Sequence, residues 1–152
     1  MFEVVAVGQV VGGRDRPDDD DWGEVRAVIR LDPDRFDVRA VAGLDEFSHV
    51  EVLFVFDRAD PAATESGARH PRGRSDWPEV GIFAQRGKDR PNHLGLSRAR
   101  LLAVDGLDLH VQGLDAIDAT PVLDVKPWME EFGPRGEVHQ PAWSRELMDR
   151  YY

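Results

Sequence analysis

Two groups of polar residues stand at spacings that could do chemistry. The first is in the stretch Gly81 to Ser97, G-I-F-A-Q-R-G-K-D-R-P-N-H-L-G-L-S. Arg86, Lys88 and Arg90 fall at alternate positions, and Pro91, Asn92 and Gly95 follow. Proline fixes its own φ and biases Arg90 away from the helical region, asparagine favours turns, and glycine reaches φ values closed to other residues. A rigid loop carrying guanidinium groups and an amide suits a ligand with a carboxylate or hydroxyls. A solvated basic hairpin tip has the same spacing. The second group is Asp115, Asp118 and Asp124 with Lys126, within G-L-D-A-I-D-A-T-P-V-L-D-V-K-P-W. It reads as an acid/base cluster or as the wall opposite the basic loop. Asp57 and Arg58 form a third, smaller pair where a strongly apolar run gives out.

Strands must position these groups. The runs at residues 2–11, 24–31 and 49–56 are rich in β-branched and aromatic residues, and E-V-R-A-V-I-R-L alternates as a half-buried strand does. Val80 to Ala84 and Leu94 to Val104 flank the basic loop as two further strands. Asp105-Gly106 is a hairpin turn, and Leu107 to Leu114 is its return strand. Residues 41–48 read as a short helix or turn. Residues 59–79, punctuated by Pro61, Gly67, Pro71, Gly73 and Pro78, read as one long loop of the kind that forms functional lids. Trp143, Leu147 and Tyr151 recur every four residues and predict a helix with one apolar stripe near residue 152. Six or seven strands, few helices and no βαβ alternation predict a mainly β fold, a compact antiparallel barrel or sandwich formed as one domain over residues 1–152.

Composition narrows the function classes. The chain has 152 residues, 41% apolar and 32% charged, and no cysteine. Disulfides, thiolate zinc sites and cysteine nucleophiles are excluded, and a reducing cytoplasm is the default compartment. Apolar runs are too short to cross a bilayer, and the first residues lack the basic region of a signal peptide. Gly8, Gly12 and Gly13 do not have dinucleotide-binding spacing. Asp18 to Asp21 lacks the spacing of a calcium loop and reads as a solvated turn, so no metal site is expected. The net charge of −10 argues against general nucleic-acid binding. Between Arg69 and Arg100, however, eight cations (69, 72, 74, 86, 88, 90, 98, 100) face three acids (76, 79, 89), a local +5 against −15 elsewhere. That stretch is either a basic face for an anionic partner or a set of internal ion pairs.

Three blocks carry a resemblance. F-A-Q-R-G-K-D-R-P-N-H-L-G-L-S resembles the F-A-T-R-S-x-x-R-P-N-P-I-G-x-S signature of the TsaA-like family, also called the TrmO family. L-D-A-I-D-A-T-P-V-L-D-V-K-P-W resembles its L-D-x-x-D-G-T-P-V-x-D-I-K-P-Y signature, and G-L-D-E-F-S-H-V-E-V-L-F-V-F resembles its G-L-x-x-F-S-H-x-x-V-L-F strand. The resemblance implies a non-Rossmann β-barrel that binds S-adenosylmethionine, a homodimer, and methylation of threonylcarbamoyladenosine beside the anticodon of tRNA. It places Asp57, Arg58, Arg86, Arg90, Asn92, Leu96, Gln112, Gly113, Leu114 and Asp115 at the cofactor, with a further contact near Asp21 to Gly23. Asp118 and Asp124 become candidates for the acceptor of a proton or hydrogen bond from the substrate nitrogen. Their other reading is structural, capping a turn or pairing with Lys126 or Arg90. His93, Ala119 and Trp128 depart from the signatures, and longer bacterial members carry a further C-terminal domain. A smaller methyl acceptor, or a cofactor-binding module without turnover, stays open. So does tRNA contact through the basic stretch Arg69 to Arg100.

Overall fold

The computed structural model describes residues 1–152. Six strands close an antiparallel barrel in the order β1-β2-β7-β6-β3-β8. They are β1 (Gly8–Val11), β2 (Arg26–Leu31), β3 (His49–Val55), β6 (Leu94–Asp105), β7 (Asp108–Gln112) and β8 (Pro121–Pro127). A two-stranded ribbon, β4 (Ala68–Arg69) with β5 (Val80–Gly81), lies in the long β3–β6 connection, and one helix, α1 (Ala142–Met148), closes the chain. The barrel reading therefore stands, and closure leaves no free sheet edge.

The alternation read in E-V-R-A-V-I-R-L is the alternation of burial, with Ala27, Ile29 and Leu31 of β2 buried. In β3, Val50, Val52 and Phe54 are buried while their neighbours are not. In β6 the inward positions are Gly95, Ser97, Ala99 and Leu101. The small residues there make room for Phe54: a Cβ on Gly95 would overlap its ring carbons. Phe54 in turn packs edge-to-face on Phe56 at 5.2 Å. Truncating so buried a ring costs about 3–5 kcal/mol.

Several boundaries differ from the sequence reading. Only Gly8–Val11 of residues 2–11 is strand, because β1 pairs with β2 from Gly8 opposite Leu31 to Val11 opposite Val28. Phe2, at 99% exposed, and Val4 lie outside the sheet. Val80 to Ala84 is not a full strand; it is the two residues of β5 followed by a 3-10 turn, Ile82–Ala84. The long 59–79 connection carries β4 and two 3-10 turns, Pro61–Ala63 and Pro71–Gly73. Residues 38–46 form two 3-10 turns, Val38–Val41 and Leu44–Glu46. The Asp105-Gly106 hairpin is present, with Asp105 opposite Asp108 and Gly106 at φ +59°. In the closing helix, Trp143 and Leu147, with Tyr151 beyond it, are half-buried, as their spacing predicts.

Antiparallel pairing also decides where function can gather. β1, β3 and β7 all finish at the end of the barrel where β2, β6 and β8 begin. The connections 12–25, 56–93 and 113–120 therefore share one mouth. The opposite end is plugged by Phe36, Val41 and Leu44, which line an open apolar groove of about 530 Å³. No helix is long and apolar enough to cross a membrane.

Candidate functional site

The basic loop is a braced frame. Arg90 donates to the Gln85 carbonyl at 2.6 Å, and the buried Gln85 amide donates to the carbonyls of Arg69 at 3.1 Å and Val80 at 2.9 Å. Asn92 and His93 both adopt positive φ, +65° and +50°. The His93 ring uses both nitrogens, Nδ1 with the Lys88 carbonyl at 3.0 Å and Nε2 with the Thr64 hydroxyl at 3.1 Å. In the neutral ring Nδ1–H donates and Nε2 accepts, so His93 fastens the loop to residue 64 and has no free nitrogen. Asp89 bridges Arg69 at 3.0 Å and Lys88 at 3.4 Å. Burial works to raise its carboxyl, but the Arg69 hydrogen bond and the two cations outweigh burial and hold it below the usual range.

Arg86 is different. It is exposed and donates through one Nη to the carbonyl of Leu96, at the start of β6. A guanidinium has five N–H donors, so others are left for a ligand. Leu96, 49% exposed, faces outward beside it in the strand order.

The segment after β7 completes this side of the mouth. Gly113, at φ +83°, donates its N–H to the Val25 carbonyl at 2.9 Å, and Gln112 reaches the Gly23 carbonyl at 3.1 Å. Leu114 is buried. Asp115 Oδ2 accepts from the Tyr151 hydroxyl, while Asp115 Oδ1 is buried with no partner. The inward Ser97 hydroxyl on β6 is likewise buried; the Tyr152 hydroxyl comes near it, without the geometry of a proper hydrogen bond. Unsatisfied buried polar atoms are uncommon, and two of the three in this chain fall here. A ligand bearing hydroxyls or an amine would satisfy both.

Asp57 and Arg58 lie exposed beyond β3, and Arg58 reaches the Asp118 carbonyl at 3.4 Å. Asp118 itself is a turn clasp: Oδ1 accepts from Gly12 N–H at 2.8 Å, and its own N–H meets the Arg14 carbonyl at 2.7 Å. Asp124 is placed apart. It sits within β8 opposite Leu53, paired with Lys126 at 2.8 Å and with its own strand's Val125 N–H at 2.9 Å, beside the groove of the far end. The three aspartates and the lysine are not one cluster. Nor is there any group of three or more His, Asp or Glu placed to hold a metal ion.

The charge excess of residues 69–100 is largely internal pairing. Arg69, Arg72, Arg74, Lys88 and Arg98 meet Asp89, Asp20, Asp76, Asp89 and Glu51. Arg86, Arg90 and Arg100 alone of the eight have no acid. Sequence reasoning missed Gln85, Ser97 and the two closing tyrosines. Only the apolar stripe through Tyr151 hinted that this end of the chain docks at all.

Residues 15–133 match the family model described as the tRNA-methyltransferase O N-terminal domain. The chain belongs to this family. Among curated relatives, a human tRNA (adenine(37)-N6)-methyltransferase is 35% identical over 129 residues, which are 84% of this chain and 29% of that protein. The Escherichia coli protein of the same name is 38% identical over 94 residues, 59% of this chain and 40% of that one. A protein of Methanothermobacter thermautotrophicus named as a probable S-adenosyl-L-methionine-binding protein is 35% identical over 122 residues, 80% of this chain and 83% of that one. The crystal structure of TrmO from Pseudomonas aeruginosa superposes with a TM-score of 0.75 at 26% identity, covering 94% of this chain and 62% of that one. The chain thus spans less than a third of the human relative. Membership in the TrmO N-terminal domain family rests on the barrel and on the blocks that build the mouth.

Proposed function

We propose that the chain is an S-adenosylmethionine-dependent methyltransferase that methylates the N6 nitrogen of the modified adenosine at tRNA position 37. Family membership supports this, as do the names of the human and Escherichia coli relatives. The observation that carries it is the mouth itself. Arg86 stands with spare donors beside Leu96, and in the same mouth Asp115 Oδ1 and Ser97 Oγ are buried without a hydrogen bond. A guanidinium for a carboxylate, acceptors for ribose hydroxyls or an exocyclic amine, and an apolar Leu96 beside them fit the cofactor's parts.

When bound, the cofactor supplies an electrophilic methyl group on a sulfonium. The chain's work is to align the nucleophilic nitrogen, the methyl carbon and the leaving sulfur, and to keep water out. An acceptor for the nitrogen's proton or hydrogen bond is needed at the same mouth. Asp118, whose Oδ1 alone is taken, meets that condition; Asp124, paired with Lys126 and lining the groove at the far end, does not.

The same reading includes a homodimer: Leu94 and Leu96 face outward on β6, and Phe83, 80% exposed, stands three residues before Arg86, apolar surface that a second copy would cover. It also includes tRNA, but with few phosphate contacts from one chain. Arg58 at the mouth and Arg100 on β6, both exposed and without an acid partner, are the cations we assign to that task.

Calorimetric titration with S-adenosylmethionine, repeated with threonine tRNA, tests the reading. Micromolar cofactor binding coupled to tRNA supports it. Cofactor binding without coupling moves the acceptor to a smaller molecule, and a folded protein that binds no cofactor refutes the reading. If Arg58 and Arg100 of one or two copies carry the contacts, two to four in all, the logarithm of tRNA affinity should fall with log salt at a slope of roughly −2 to −4; a much steeper slope would bring further cations into the contact.

A further inference from the structure

We infer that the closing segment, Ala142 to Tyr152, is a wall of the cofactor site, in which Tyr151 positions Asp115 and Tyr152 offers its ring to the base of a bound nucleoside. The inference rests on the cofactor reading above. It concerns residues beyond the 15–133 that the family shares, so nothing in the family match supplies it.

The segment is tied to every loop of the mouth. The amides of Asp21 and Trp22 donate to the carbonyls of Arg150 and Tyr151 at 2.8 Å each. The Arg150 guanidinium lies 3.7 Å from the Asp21 carboxylate. On α1, the Glu146 carboxylate accepts from the indole of the buried Trp77, in the β3–β6 connection, at 2.8 Å. Tyr152 presses its backbone against Gly23 so closely that a Cβ there would lie 2.8 Å from the Tyr152 carbonyl carbon.

The two tyrosines then divide the work. Burial first, and the neighbouring Asp115 charge second, push the Tyr151 hydroxyl's pKa up, so it remains a donor at any working pH. By taking Oδ2 it fixes which carboxylate oxygen, Oδ1, is left for a ligand. The Tyr152 ring stands edge-on to Tyr151 at 4.9 Å, close to Ser97 and Arg86, on a residue that is 62% exposed as a whole. An aromatic face beside a free carboxylate oxygen is the recognition chemistry of a nucleoside: the ring stacks, and the oxygen takes a hydroxyl or an amine.

The test uses the full chain and S-adenosylmethionine. Tyr151→Phe keeps the packing and loses only the hydroxyl; it should weaken binding about tenfold in a protein that still folds, with a melting temperature lower by a few degrees because Asp115 loses its hydrogen-bond donor. Tyr152→Ala should weaken it roughly tenfold, and Tyr152→Phe should restore it, because the ring is what counts there. In the unmutated protein, saturating cofactor should slow hydrogen exchange at the Asp21 and Trp22 amides, a readout that needs no variant to fold. Wild-type binding with unchanged affinity in Tyr151→Phe and Tyr152→Ala, or with exchange at residues 21 and 22 unaffected, overturns the role of the segment and leaves the cofactor reading intact. No binding by the wild type overturns both.

Discussion

The phenol of Tyr151 donates to Oδ2 of Asp115, 36 residues earlier in the chain, and the other oxygen of that carboxylate is buried without a partner. One half of the group is spent on architecture and the other is free for recognition. Asp115→Asn should separate the two. The amide oxygen can still accept from Tyr151, but an NH2 group replaces the free acceptor. Affinity for S-adenosylmethionine should fall at least tenfold, with the melting temperature within about 2 °C of wild type. Equal affinity in a calorimetric titration would remove Asp115 from the site.

Arg86→Ala should abolish measurable cofactor binding in a protein that is still folded, since Arg86 is exposed and its bond to the Leu96 carbonyl is one of several ties in the loop. Arg86→Lys should recover only part of the affinity, because an ammonium cannot grip a carboxylate with two parallel donors. An Ala variant that binds as well as wild type would sink the placement of the cofactor's carboxylate.

Ala119 stands where the family signature has glycine, and its φ is +67°. A side chain in the left-handed region costs about 1–2 kcal/mol, partly offset by the lower chain entropy that alanine brings to the unfolded state. Ala119→Gly should therefore stabilise the protein by roughly 0.5–1 kcal/mol, a rise of about 1–4 °C in melting temperature. A fall in calorimetric Tm would show that the positive φ is not strained here.

His93 replaces a signature proline and shows why the exchange cannot simply be reversed. Its φ is +50°, and its N–H donates to the Arg90 carbonyl at 3.1 Å. Proline is locked near −65° and has no N–H. His93→Pro should cost about 3 kcal/mol or more in urea unfolding, or force the loop into another path. A variant as stable as wild type, with the same loop, would contradict this conformation.

Two groups set opposite pH limits on the mouth. The Asp89 carboxyl is held below its usual range, so its ion pairs contribute fully above about pH 4 and are lost as pH falls through its lowered folded value. The Tyr151 phenol is raised, so its contribution is complete below about pH 10 and is lost as pH climbs towards the higher folded value. Proteolysis of the 59–79 connection should accelerate below about pH 4, and exchange at Trp22 should exceed the base-catalysed trend above about pH 10. Asp89→Asn should remove the acid response alone.

What the sequence made legible follows from the range of the forces involved. The alternation of β2 and the Asp105-Gly106 hairpin are local, and both were readable residue by residue. So was the apolar stripe of the closing helix. Phe2 to Val5 has the composition of a strand but no partner, because β2 ends at Leu31 and β1 can pair only from Gly8. The basic face read from residues 69–100 is mostly closed by acids such as Asp20 and Glu51, which lie far off in sequence. Asp115 was identifiable through its signature, but its partner Tyr151 was not, because a side-chain bond between distant segments leaves no pattern in either. Gln85 looked like one more polar residue in a loop, and only three-dimensional placement shows it clamping the carbonyls of Arg69 and Val80.

Strand parity has a practical corollary. Because the three strand-to-strand connections that build the mouth leave from one rim, the turn at Gly106 and the connection around Pro33 belong to the other. The barrel thus comes with a handle. New termini opened at Gly106, or a tether attached there, would leave the chemistry untouched while fixing the molecule to a surface mouth-outward.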